Sequence, residues 1–261
     1  MKRLSYGDVI KTELQTEEFT NSYLKGFSEH APIILDAFFQ LMYFTSKKNM
    51  GTPDGDFHMY CWHQYYHAGY SFRACIILYE KGYYLEANII LRRLLELLVK
   101  MKYLDNHRDF SQKLWTNKDI YIKNSNGEDK KLSIKDMFNE VAPDLYEISY
   151  GLLLSGFVHG GIGSGIGKIK YKSITETDVM LGSQWDEDAA TFVVNTFTVI
   201  ALGYLNHFPK FFEEGFKKVD PEISKQCSTE TEWLTASLNR HREKYPDSAP
   251  WHKEIEPLIK I

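Results

Sequence analysis

Cysteine is scarce in this chain: Cys61, Cys75 and Cys227 are the only three, with no Cys-x-x-Cys pair among them. An odd, unpaired set excludes a disulfide framework and a thiolate zinc site, and reads as reduced thiols in a cytoplasmic protein. Positive charge is not in excess either. With 31 Lys and Arg against 35 Asp and Glu, the net charge is −4 and the isoelectric point is near 6.2. A polybasic surface that wraps a nucleic acid is thereby disfavoured, though a local basic groove is not. The opening stretch, MKRLSYGDVIKTELQTEEF, lacks the apolar core of a secretion signal. Long hydrophobic runs are nearly absent. One run, Ala189 to Phe208, contains no Asp, Glu, Lys or Arg and reaches the length of a minimal membrane span. Thr191, Asn195, Thr196, Thr198 and Asn206 interrupt it, and the acidic WDEDAA precedes it. A central helix of a bundle is expected there, and no membrane partner.

Aromatic side chains are what the sequence has in quantity, 15% of the chain with 17 Tyr and 16 Phe. They supply broad packing surfaces, and 261 residues suffice for a sizeable core. Most of the chain has helical periodicity. SEHAPIILDAFFQLMYFTSKK opens on Ser28 as an N-cap, and a turn at Pro53, Asp54 and Gly55 follows. Two long helices then meet at Lys81-Gly82, which predicts an antiparallel hairpin. Residues 106–132 form a polar insertion in which Asn126-Gly127 marks a β-hairpin. Ser133 and Asp136 resemble a capping box for a helix through Val141, and Pro143 begins another through Val158. A long helix is expected from Glu187 to about Lys217, and an amphipathic one in TETEWLTASLNRHREKY. No linker divides residues 1–261, so the expectation is one all-α domain: a bundle of long antiparallel helices with a small polar insertion.

Four features bear on chemistry. The first is the glycine run in SGFVHGGIGSGIG. A dinucleotide fingerprint started at Gly161 fails at Ile166, and one started at Gly163 fails at Lys168. A phosphate-binding P-loop fails because Ile162 stands in place of its first glycine and Ile169 in place of its Ser or Thr. The glycines therefore read as a helix stop. The second is Ser155 with His159, which lie four apart and share a helical face. No acid completes a triad with them, so a serine hydrolase is disfavoured, and a buried histidine fastening the helix end competes with a catalytic role. The third is the set Glu86, Arg92, Arg93, Glu96 and Lys100, which occupies about a third of one helix circumference. It is either a solvated face or the wall of a polar cleft. The fourth is His63 with His67, also four apart, which could share a metal ion. His58 points elsewhere and no Glu-x-x-His motif is present, so an aromatic helix contact is preferred and no metal or cofactor is expected.

YEKGYYLEANIILRRLLELLVKMKYL, followed about fifty residues later by YGLLLSGFVHG, resembles a bacterial helical family of unknown function. That family pairs a Gly-x-x-x-Glu-Ala hairpin with Arg-x-x-x-Glu and, further on, Ser-x-x-x-His. It is in turn similar to the HEPN helical bundles, many of which are ribonucleases in toxin–antitoxin and antiviral defence systems. The resemblance implies functional roles for Arg92, Glu96, Ser155 and His159, and a contributing role for Tyr150. HEPN ribonucleases carry an Arg and a His with four to six residues between them. No arginine here has a histidine at that spacing, and Leu152, Leu153 and Leu154 occupy the equivalent positions. Arg92 or Arg93 would have to supply the cation from a neighbouring helix.

Three functional classes follow. One is a HEPN-like protein acting on RNA as a metal-independent endoribonuclease, with His159 as acid/base. A second is a non-catalytic module that binds a ligand or protein partner as a homodimer. The third is a metal-dependent helical enzyme.

Overall fold

In a computed structural model of the chain, the described residues are 6–23, 25–45, 55–116, 118–123, 125–146, 169–171, 177–179, 187–216, 219–244 and 256–259. Two long helices and the glycine between them set the frame. Helix α3 spans Gly55–Glu80 and α4 spans Tyr84–Asn106. Gly82 has φ 77°, in the left-handed region where a Cβ is penalised. Its N–H donates to Tyr79 O at 3.0 Å, and that of Tyr83 donates to Leu78 O at 2.8 Å. These bonds satisfy carbonyls that the end of α3 would leave orphaned, and they return the chain as an antiparallel partner.

Helices α1 (Tyr6–Tyr23) and α2 (Lys25–Thr45) precede this hairpin, and α2 packs along α3. Ser28 does not cap α2, which starts at Lys25 and carries both Ser28 and Pro32 inside it. Packing explains the earlier start. Phe27 is 5% exposed and meets the rings of Tyr79 and Phe197 edge-on at 5.2 and 5.1 Å, so the core holds a turn that local sequence would release.

After α4, a 3₁₀ turn at Arg108–Phe110 and helix α5 (Ser111–Trp115) fold back, with α5 lying against α3. Strands β1 (Tyr121–Lys123) and β2 (Asp129–Lys131) then pair antiparallel, Tyr121 opposite Lys131, around Gly127 at φ 79°. The polar character of the insertion belongs to this hairpin. Helix α6 (Ile134–Val141) opens with both arms of the expected capping box: Asp136 N–H donates to Ser133 Oγ at 3.3 Å and Ser133 N–H to Asp136 Oδ2 at 3.0 Å. Pro143 starts α7 (Pro143–Leu145). A second antiparallel pair joins β3 (Ile169–Tyr171) to β4 (Thr177–Val179), with Ile169 opposite Val179.

Helix α8 (Glu187–Phe211) is the long helix expected from the uncharged run, and it packs against both members of the central hairpin. It ends short of Lys217, with a turn at Phe212 and a separate α9 (Glu213–Phe216). Pro209 lacks the N–H that would bond Leu205 O, which weakens the last turn. Helix α10 (Pro221–Lys244) begins eight residues before the amphipathic stretch read from sequence. Asp220 Oδ1 accepts the Glu222 N–H at 2.8 Å and Pro221 occupies the first turn, an N-terminal signal carried by local chemistry rather than periodicity. Helix α11 (Glu256–Ile259) docks on α8.

The core is aromatic. Tyr65 of α3 donates its hydroxyl to Tyr204 O of α8 at 2.7 Å, and Tyr204 donates to Leu94 O of α4 at 3.0 Å. Two buried phenols thus tie three helices together while meeting their own hydrogen-bond needs. The all-α bundle with a small β insertion is the observed fold. Among the described residues no helix is long and apolar enough to cross a membrane.

Candidate functional site

Leu91, Leu94, Leu95 and Leu98 put the apolar stripe of α4 into the core. The charged set lies at its margin, and the structure divides that set. Arg92 is 8% exposed, and its Nε donates to Glu96 Oε1 at 3.1 Å. Arg93 Nη1 stands 3.6 Å from Glu96 Oε2, with 59% of its side chain exposed against 15% for Glu96. Lys100 is half-buried; burial and the Arg93 charge lower its pKa, and Glu96 opposes them. Two arginines therefore share one carboxylate, whose charge also acts on Lys100. The Arg92–Glu96 pair is not a solvated helix face, while Arg93 looks outward. Burial and Cys61 raise the Tyr60 pKa while Arg93 lowers it, so the charge of Arg93 reaches across to α3. Such a cluster can hold an anion: one guanidinium is fixed by its carboxylate, and the second, mostly exposed and more loosely paired with it, can turn to a ligand.

Ser155, His159 and Tyr150, with the glycine run, lie outside the described residues. Of the residues implied by resemblance, Arg92 and Glu96 are joined on α4.

His63 and His67 are brought together on α3, with Nε2 atoms 3.1 Å apart. Burial, then the His67 charge, lowers the His63 pKa. His58 faces Phe57 and Phe212 instead, with ring centroids 5.8 and 6.4 Å away. Among the described residues no three His, Cys, Asp or Glu side chains form a metal group. The cysteines are free and buried, and burial raises the pKa of each.

The α3–α4 hairpin and the insertion also carry the likeness to known proteins. Residues 58–135 match a family of unknown function, DUF5677. The matched stretch runs from His58 in α3 through α4, α5 and the first hairpin to the start of α6. It therefore includes Arg92, Arg93, Glu96 and the histidine pair. No curated protein and no solved structure matches the chain.

Two polar clusters had no signal in the sequence, because their members lie far apart along it. His207 of α8 is 1% exposed, and its Nε2 is 2.9 Å from both Lys102 Nζ and Leu258 O. Lys102 also donates to Pro257 O. Burial first, then Lys102, lowers the His207 pKa to about 4; burial and Lys210 lower that of Lys102 to about 8. Next to them Asp105 accepts from Arg108 Nη2 and Lys210 Nζ, each at 2.7 Å. Burial pushes its pKa up, but those two bonds outweigh burial and hold it low. This cluster clamps α11 onto the bundle. The second cluster joins α2 to α10: His30 Nδ1 is 2.8 Å from Glu230 Oε2, and the imidazole stacks on Trp233 at 4.1 Å. Both clusters fasten helices.

Proposed function

We propose that the chain is a HEPN-like helical protein of a bacterial defence or stress system that acts on RNA. In this reading Arg93, beside Arg92, receives the phosphodiester on α4, and His159 is the acid/base. His159 takes the 2′-hydroxyl proton, the freed oxygen attacks phosphorus, and the resulting imidazolium returns that proton to the departing 5′-oxygen, leaving a 2′,3′-cyclic phosphate and a free 5′-alcohol. In the same reading Ser155, four residues before His159 in the sequence, orients the imidazole, and Tyr150 contributes to RNA binding. The observation that carries the reading is the contrast on α4: Arg92 buried and braced by Glu96, Arg93 on the same carboxylate and exposed. Glu96 braces Arg92, and the exposed Arg93 beside it is the cation that can meet phosphate charge as it builds up, which is the contribution the displaced arginine of this pattern must make. Wild type expressed in a bacterium should arrest growth and degrade total RNA, and His159→Ala or Arg93→Ala should relieve both. Undiminished RNA cleavage by His159→Ala refutes the proposal.

A second reading rests on a different surface. Tyr66, Tyr70 and Ile77, at least 41% exposed, share one face of α3. That face suits a non-catalytic homodimer, which would give a defined dimer mass by light scattering, no growth arrest and intact RNA.

A further inference from the structure

The histidine pair takes no part in the α4 cluster. His63 is half-buried and His67 exposed, one turn apart on a 26-residue helix that α2 and α4 hold rigid. Their rings are 4.3 Å apart between centroids and inclined at 71°, with the Nε2 atoms facing each other at 3.1 Å. Two neutral imidazoles in that position gain one hydrogen bond at most, because a single proton fits between the two nitrogens. They also have the bite of a chelate. With metal–nitrogen bonds of about 2.0–2.1 Å, a separation of 3.1 Å subtends roughly 100° at the metal. That angle lies between the square-planar and tetrahedral ideals.

The surroundings can accommodate the lone-pair arrangement. The Gln64 amide nitrogen lies 3.4 Å from His63 Nδ1. A half-turn of that amide would present its oxygen to the ring, where it would accept the Nδ1 proton and leave the Nε2 lone pair to a metal, the usual outer support of a ligating histidine. On the other side Tyr66 meets the His67 ring edge-on at 5.9 Å and is itself stacked on Trp62 at 5.7 Å, which limits the rotation of His67.

We propose that His63 and His67 form a surface site for a late first-row divalent ion, Cu²⁺, Ni²⁺ or Zn²⁺, bound through both Nε2 atoms with water in the remaining positions. Imidazole suits these ions, and copper should bind most tightly. No third ligand is required from the described residues, so the coordination sphere stays open to a small anionic ligand from solution. The site is independent of the RNA reading, since neither histidine contributes to it.

The test uses the full chain stripped of metal and titrated with Cu²⁺ or Zn²⁺ alone. Calorimetry should show one ion per chain, and the copper complex should show two equivalent nitrogens by electron paramagnetic resonance. Joining two ligands in one frame strengthens binding by about 10² or more, so His63→Ala and His67→Ala should each weaken binding by about that factor. His58→Ala should leave it unchanged. Because His67 is exposed, His67→Gln provides a folded control: zinc should raise the melting temperature of wild type and not that of this variant. Equal affinity in wild type and His67→Ala, a single-nitrogen spectrum, or no binding overturns the proposal.

Discussion

Replacing Glu96 with Gln tests whether α4 carries a braced cation or two loosely associated surface charges. Glu96 Oε1 lies 3.1 Å from Arg92 Nε, and the two side chains are 15% and 10% exposed. At an effective dielectric constant near 20, that separation corresponds to a gross attraction of about 5 kcal/mol. Much of it is offset by desolvation, and removing one partner of a buried pair costs about 3–5 kcal/mol. Glutamine keeps an amide oxygen that can still accept from Arg92, which brings the loss below that range, to about 2–3 kcal/mol. The Arg93 arm, largely solvated at 3.6 Å, adds only about 0.3–0.5 kcal/mol. For a chain of this size about 2–4 °C is lost per kcal/mol, so Glu96→Gln should lower the melting temperature by about 5–10 °C. Urea denaturation of wild type, Glu96→Gln, Arg92→Met and the double variant completes a cycle. The double variant should be more stable than the sum of the single losses implies, with a coupling of about 1–3 kcal/mol. A loss below about 0.5 kcal/mol for Glu96→Gln, with additive single effects, would show a solvated pair and remove the basis for a preorganised anion site.

Tyr204→Phe removes the hydroxyl that donates to Leu94 O at 3.0 Å, and should cost about 1–1.5 kcal/mol in urea denaturation; an unchanged midpoint contradicts the tie between α8 and α4. At Gly203 an added Cβ would stand 2.6 Å from Leu98 Cδ2 and 3.1 Å from Leu258 O. Leu98 can turn aside but the α11 backbone cannot, so Gly203→Ala should cost about 1–3 kcal/mol and speed hydrogen exchange in α11, whereas unchanged exchange there argues against the close approach. His207 links stability to pH. Its folded pKa of about 4 lies below the ordinary 6.5, so below pH 6.5 the unfolded chain gains a proton that the folded chain refuses. The stability present above pH 6.5 is lost as the pH falls towards about 4, by up to roughly 3 kcal/mol. Lys102 and Lys210 reinforce the effect, while Leu258 O and Asp105 oppose it. Urea midpoints between pH 7 and 4.5 should fall less steeply in His207→Asn; equal slopes contradict this account.

Local chemistry was enough to place the α3–α4 hairpin, the first β-hairpin and the α6 cap. Gly82, Gly127 and the Ser133–Asp136 pair each meet a backbone need within a few residues, so neighbours along the chain decide the outcome. The boundaries that moved were those where distant contacts outweigh propensity. Phe27 draws the start of α2 back to Lys25 because its ring is packed by Tyr79 and Phe197 from two other helices. The site divides in the same way. Four-residue spacing was sufficient to put Arg92 beside Glu96 and His63 beside His67, since one helical turn brings such positions together. Spacing could not say which of these faces meets water. Burial depends on what packs against a helix, and only the tertiary structure made Arg92 a buried cation, left Arg93 and His67 exposed, and joined Lys102 to His207 across 105 positions of chain.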